Sequence, residues 1–182
     1  MNGINTPLCD FQKNIIHAAT ITGYNVQGIF CPTFGIATDL FCCQQALFNG
    51  AAFEGTRALQ RKIQEFHENS DPGSTMLVIP HSRGAIYTRN ALMDSPAHLR
   101  KKVDILAIAP GAFINRVLCN DVKHIRSMFD PVPKLNISGL WRCRDAIITL
   151  YPDVNSPYLD HEFISPTYVG SIENETKRYM RK

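Results

Sequence analysis

Charge of one sign is scarce in this sequence: Lys and Arg exceed Asp and Glu by only three, 19 against 16. No basic stripe and no interleaving of basic with aromatic residues is present, so the electrostatic footprint of a nucleic-acid binder is missing and no nucleic-acid partner is expected. Four basic residues, Lys177, Arg178, Arg181 and Lys182, gather at the end of the chain and read as a solvated tail. No C-x-x-C pair occurs among Cys9, Cys31, Cys42, Cys43, Cys119 and Cys143, and the adjacent Cys42 and Cys43 cannot easily serve one tetrahedral metal. A secretory leader is not visible either, since Met1-Asn2-Gly3-Ile4-Asn5-Thr6 is polar and turn-like. Reduced, mostly buried thiols in a cytoplasmic setting follow, with export from the cell left open. Long apolar runs are also lacking. The stretch from Gly28 to Phe53 is broken by Pro32, Asp39 and Gln44-Gln45, which argues against a membrane span and for a buried helix or a lid over an apolar site.

What is present is the composition of one globular domain. At 182 residues, 45% apolar and 19% charged, the chain can build a single core over 1–182. Phe11, Ile15 and Ala19 predict a helix over Phe11 to Thr20, and the alternation from Tyr24 to Phe30 predicts a strand. Leu40 to Phe48 reads as helical, and Glu54 to Glu68 is the clearest amphipathic helix, with Leu59, Ile63 and Phe66 on one face. Met76-Leu77-Val78-Ile79 has the continuous apolarity of a central parallel strand. A helix from Ala85 to Met93 follows, then Ser95-Pro96 as N-cap and first position of another. Val103 to Ile108, His124 to Met128 and Ala146 to Leu150 complete the expected strands. Strands alternating with helices predict an α/β layered fold with a mainly parallel sheet.

The informative segment is Ile79-Pro80-His81-Ser82-Arg83-Gly84-Ala85, set between a buried strand and a helix. A nucleophile elbow needs that setting, because a sharp strand-to-helix turn lifts the serine hydroxyl above the sheet. The helix N-terminus beneath offers free N–H groups to a developing oxyanion. In the pattern G-x-S-x-G, Gly84 is present and Pro80 stands in place of the first glycine. Taken alone, Ser82 reads equally well as a helix N-cap. The later residues complete a triad in the order nucleophile, acid, base. Asp130 follows a strand within Phe129-Asp130-Pro131-Val132-Pro133, and His161 lies beyond the last strand within Tyr158-Leu159-Asp160-His161-Glu162-Phe163.

The segments around Ser82, Asp130 and His161 resemble the fungal-type triacylglycerol lipases, in which G-H-S-x-G, an Asp-x-Val-Pro segment and a late Asp-His pair carry the triad. The whole chain is similar to a family of chlamydial proteins, which share a start like Asn2-Gly3-Ile4-Asn5-Thr6 and a His-Ser-x-Gly elbow. They also share Ala107-Ile108-Ala109-Pro110, Arg142-Cys143-Arg144-Asp145 and Asp160-His161-x-Phe163. The first resemblance implies a three-layer α/β-hydrolase-like fold and cleavage of a small-molecule or lipid acyl ester or thioester through an acyl-enzyme. By it, Asn2 to Thr6 occupies the place of the oxyanion loop, with the N–H of Ile4 or Asn5 donating together with that of Arg83. Because the chain begins inside that loop, it implies a minimal or N-terminally truncated form whose loop is poorly held.

With this triad the reaction requires no metal or cofactor. The Arg83 side chain either lies on the helix surface or faces an anionic group of the substrate. His81 is expected to pack or hydrogen-bond structurally and ranks second as a base; Asp160 and Asp153 are the substitute acids. His17, His67 and His98 read as surface or satisfied residues, and His124 has no assigned role. Two rival functions remain: an inactive scaffold of the same fold used as an interaction module, and a cysteine enzyme using Cys119 or Cys143.

Overall fold

A computed structural model describes residues 1–49 and 53–181. Among them, helix α1 spans Leu8–Thr22, α2 Ile36–Asn49 and α3 Glu54–Asn69. Strand β1 (Met76–Val78) leads into α4 (Arg83–Asp94) and the one-turn α5 (Ala97–Arg100). Strands β2 (Val103–Ile108) and β3 (Asp121–Ser127) follow, then α6 (Ile137–Arg142), β4 (Ile147–Leu150) and α7 (Pro166–Tyr179). The four strands pair in sequence order, β1-β2-β3-β4, and every pairing is parallel.

Strand β2 shows why the layers form. It is buried at every position, and its side chains alternate between two cores as a pleated strand requires. Val103, Ile105 and Ala107 join Leu59 and Ile63 of α3 and Ala91 and Leu92 of α4. Leu106 and Ile108 join Ala18 of α1 and Tyr168, Ile172 and Tyr179 of α7. Helices therefore cover both faces of a parallel sheet, as an α/β fold demands. The helix ends follow ordinary capping chemistry: α1 stops at Gly23 with φ of 70°. Ser165 caps α7 by accepting from the Thr167 N–H, with Pro166 behind it at the first helical position.

Five expectations change. Tyr24 to Phe30 is not a strand. Its alternation reflects packing along α1, where the Phe30 and Phe11 rings lie 5.3 Å apart. Strand β1 is an edge strand, not a central one. Its outer side carries Met1, whose amino group donates to Ile79 O while its own carbonyl accepts from His81 N–H. The apolar segment before Gly50 carries α2, which is not the buried helix of one expectation, since Leu40, Phe41 and Phe48 are exposed while Asp39 and Ala46 are buried; residues 50–52 lie outside the described residues. Finally, Lys177 and Arg178 end α7 and do not form a free tail: Arg178 bonds Asp121 at 3.1 Å. Lys182 lies outside the described residues. Ser95 also caps the end of α4, leaving Pro96 as the N-cap of α5. Among the described residues, no helix is long and apolar enough to cross a membrane.

His124 in β3 is fully buried and accepts the Ile114 N–H on Nε2 at 2.9 Å. Burial pushes its pKa down to about 4, so the folded state keeps it neutral while the unfolded chain protonates near 6.5. Stability from this group is complete above pH 6.5 and is lost as pH falls toward 4. Between pH 6.5 and 5 the loss is roughly 1–2 kcal/mol. Urea unfolding at the two pH values should show it, and His124→Gln, which keeps an acceptor, should flatten the dependence by that amount.

Candidate active site

Parallel strands deliver their carboxyl ends to one edge of the sheet, and the loops leaving those ends carry the three predicted side chains. Ser82 stands between β1 and α4, Asp130 three residues after β3, and His161 in the loop between β4 and α7. The structure brings them into one line. Ser82 Oγ lies 2.8 Å from His161 Nε2, and His161 Nδ1 lies 2.7 Å from Asp130 Oδ2. Asp130 is fully buried, and its other oxygen accepts the Val132 N–H at 2.9 Å. A carboxylate at Nδ1 favours the tautomer with its proton there, which leaves Nε2 as an acceptor facing the Ser82 hydroxyl.

The turn that presents Ser82 is strained. Its φ of 52° and ψ of −120° place an L-residue where few side chains sit, at a cost of about 1–3 kcal/mol. Neighbouring backbone holds it there: Ser82 N–H donates to Ile108 O, and Ser82 O accepts from Ala85 N–H and Gly111 N–H. Ser82 occupies the N-cap of α4, yet its side chain makes no cap bond. The hydroxyl is left for His161. Ser82 is thus the N-cap of α4 by position, without the side-chain bond that a capping serine makes.

Facing Ser82 is the N-terminal loop. A Cβ on Gly3 would come 2.9 Å from Ser82 Cβ and 3.2 Å from Ser82 Oγ, so only glycine lets this backbone pass so close. The N–H groups of Ile4 and Arg83 make no hydrogen bond among the described residues, which suits both to a developing oxyanion. Asn5 does not fit the role expected of it, because its N–H is already bonded to Asp39 Oδ2 at 3.1 Å. Nor is the loop poorly held. The Asn2 side chain accepts Cys31 N–H at 2.7 Å and donates to Cys31 O at 2.9 Å.

The Arg83 side chain neither lies on the surface nor faces a substrate. It turns inward to Asp39, 3.1 Å away, with side-chain exposures of 2% and 0%. Its guanidinium also donates to Cys31 O and Pro32 O. Asp39 further accepts from Thr33 Oγ1 at 2.5 Å and Phe34 N–H at 3.1 Å. Burial opposes the Asp39 charge, but the bonds from Thr33, Asn5 and Phe34 together with the Arg83 cation outweigh it and hold the carboxyl below its ordinary range. In the sequence Asp39 showed only as a charge interrupting an apolar stretch. A buried charge must be paired, and that is the signal that points to Arg83.

The substitute residues fall away. His81 Nε2–H donates to the His161 carbonyl at 2.7 Å. Burial foremost, then the neighbouring His161, pushes its pKa down to about 3. Both carboxylate oxygens of Asp160 are taken by Ser165 and Thr167, and Asp153 accepts from Asn155 in an exposed turn. The six cysteines are unpaired; Cys119 and Cys143 are buried, and burial raises both thiols, Cys119 to about 12. A thiolate nucleophile is disfavoured at either position.

Removing Asp39 leaves a buried guanidinium without its counter-charge, so Asp39→Ala should cost roughly 3–5 kcal/mol in urea unfolding. Lys13→Ala, which breaks an exposed pair with Asp10, should leave the midpoint nearly unchanged.

The chain matches no protein-family model, no curated protein and no solved structure, so the geometry of this site carries the functional reading.

Proposed function

We propose that this chain is a serine hydrolase of α/β-hydrolase type that cleaves carboxylic ester or thioester bonds through an acyl-enzyme. The observation that carries the reading is the continuous path Ser82 Oγ, His161 Nε2, His161 Nδ1, Asp130 Oδ2, with links of 2.8 and 2.7 Å, on a serine held at positive φ. A nucleophile, a base within hydrogen-bond reach and a group orienting that base are the three requirements of such chemistry.

In the proposed reaction Ser82 Oγ attacks the substrate carbonyl carbon as its proton passes to His161 Nε2. Asp130 stabilises the imidazolium that forms and stays ionised. The carbonyl oxygen becomes an oxyanion, received by the N–H groups of Ile4 and Arg83, each contributing on the order of 3 kcal/mol to the lowering of the barrier. Collapse expels the alcohol or thiol, which takes the proton back from His161. A water then repeats the sequence on the acyl-enzyme, giving up its proton to His161 and releasing the acid and free Ser82. The alternation of His161 between base and acid needs only the residues of this site. Small acyl esters and lipid esters meet the same requirements, and a p-nitrophenyl ester series of increasing chain length separates them.

A fluorophosphonate probe should label wild-type protein at Ser82, and Ser82→Ala and His161→Ala should each lower ester turnover by at least about 10⁴-fold. Asp130→Asn should keep the fold and lose about as much, because the imidazole is then held in the wrong tautomer. A wild-type chain that neither labels nor turns over any ester of the series overturns the proposal in favour of a non-catalytic scaffold.

The Gly3 contact gives a second check. Gly3→Ala should lower kcat by about 10²-fold while the thermal midpoint moves little, since the loop, and not the core, must shift. An unchanged kcat would remove this loop from the reaction.

A further inference from the structure

The residue before His161 is held in an unusual way. Asp160 is fully buried and sits at φ of 43°, a left-handed conformation uncommon outside glycine that aspartate reaches when its side chain is hydrogen-bonded locally. Three hydroxyls from the start of α7 converge on it. Ser165 Oγ donates to Oδ1 at 2.5 Å, Thr167 Oγ1 to Oδ2 at 2.8 Å, and Tyr168 OH to the backbone carbonyl at 2.8 Å. The same Tyr168 oxygen accepts the Ser127 N–H at 3.1 Å and lies 3.4 Å from Asp130 Oδ2. One phenol thus touches the end of the strand that leads to the acid, the acid itself, and the turn that leads to the base.

We propose that the first turn of α7 is the positioning device of the triad: Tyr168 ties the base turn to the acid strand, and Asp160 fixes the backbone from which His161 projects. The inference rests on the serine hydrolase reading for its catalytic consequence and on hydrogen bonds alone for its structural one. The core role of Tyr168 does not account for the arrangement. Its ring packs among Leu106, Ile108, Ile125 and Ile172, and a phenylalanine would fill that space equally well. The hydroxyl earns its place through three polar contacts that a ring alone cannot make. Burial, then the nearby Asp130 charge, raises the phenol pKa, so it remains a protonated donor throughout the working range.

Two variants test the device. Tyr168→Phe removes the link between acid strand and base turn and leaves the ring. Asp160→Gly removes the carboxylate anchor and relieves the left-handed strain, so that folding is retained even where the turn loosens. Two readouts are needed. Kinetics should show kcat falling by about 10²-fold in each variant with KM changed less than about threefold, as expected for misplacement of a reacting group. The nitrogen chemical shifts of ¹⁵N-labelled histidine report the His161 tautomer without any turnover. Wild type should hold the proton on Nδ1, and both variants should show a mixture, because the tautomer is set by the bond to Asp130. Tyr179→Phe, which removes another buried hydroxyl bonded to Ile105 O at 2.8 Å, is the control and should leave the tautomer alone.

A wild-type tautomer that survives intact in both variants overturns the positioning role, whatever the stability change. A mixture in the variants of a protein that takes no fluorophosphonate supports the device and overturns the hydrolase reading instead.

Discussion

Everything at this site depends on the backbone of Ser82 being held where it does not want to be. A serine at φ of 52° returns to an ordinary conformation unless its surroundings prevent it. Here they do so from three sides. The end of β2 takes its N–H, the start of α4 and Gly111 share its carbonyl, and the N-terminal loop passes so close that Gly3 can carry no side chain. Because β1 stops at Val78 and α4 starts at Arg83, only four residues make the turn, and the hydroxyl at its end meets His161 Nε2 at 2.8 Å. The strain at Ser82 and the direction of its hydroxyl both follow from this short turn.

Around that turn the polar interior is organised by three buried aspartates, each bracing one segment. Asp39 ties the N-terminal loop to Arg83, the residue that follows the serine. Asp130 orients the imidazole. Asp160 shapes the turn from which the imidazole projects. None is left unsatisfied. Asp39 accepts three hydrogen bonds and pairs with Arg83, and the carboxylates of Asp130 and Asp160 each hold a bond on both oxygens, which is the condition under which a carboxylate can be buried without a large penalty. The arrangement is consistent with a site that must keep about 3 Å contacts among loops from distant parts of the chain. Rigid helices and strands supply position to within a residue, and the aspartates supply the rest.

The sequence made the chemical line legible and left its supports obscure. Ser82, Asp130 and His161 could be found because each follows a strand in a fixed order, and strands of the kind seen at Val103 to Ile108 announce themselves by unbroken apolarity. The supports could not be found so easily. Asp39 bonds to residues 5, 33, 34 and 83, and no local spacing encodes such a set. Helix α7 has ordinary amphipathicity with a Ser-Pro start, yet its sequence does not say that its hydroxyls meet on Asp160. The strand expected over Tyr24 to Phe30 failed for a related reason. Alternation records which side chains are covered, and a helix flank can cover them as well as a sheet. The choice between Ile4 and Asn5 as donor also waited on a long-range contact, the bond from Asn5 to Asp39.

Pro80 shows how a departure from a motif can be absorbed. The position usually held by glycine raises two concerns, bulk beside the elbow and loss of an N–H. The need for a small residue is met elsewhere. Gly84 lies against Met1, where a Cβ would come 2.9 Å from the Met1 carbonyl oxygen, so the crowding at this elbow falls on the second glycine of the pattern. The lost N–H is on the β2 side, where the Pro80 carbonyl also points, so the proline removes one donor from that ladder. Met1 pairs with Ile79 O and His81 N–H and skips residue 80 entirely. On the inner side, Pro80 still offers its carbonyl to the Ile108 N–H at 2.9 Å, and Ser82 N–H returns a bond to Ile108 O at 3.1 Å. The ladder between β1 and β2 therefore continues past the proline by acceptor and neighbour, with only the donor of one residue missing. A proline's fixed φ near −65° also restricts the unfolded chain just before the strained residue. At this elbow the ring removes one donor and in exchange limits the freedom of the strand that must end abruptly at Ser82.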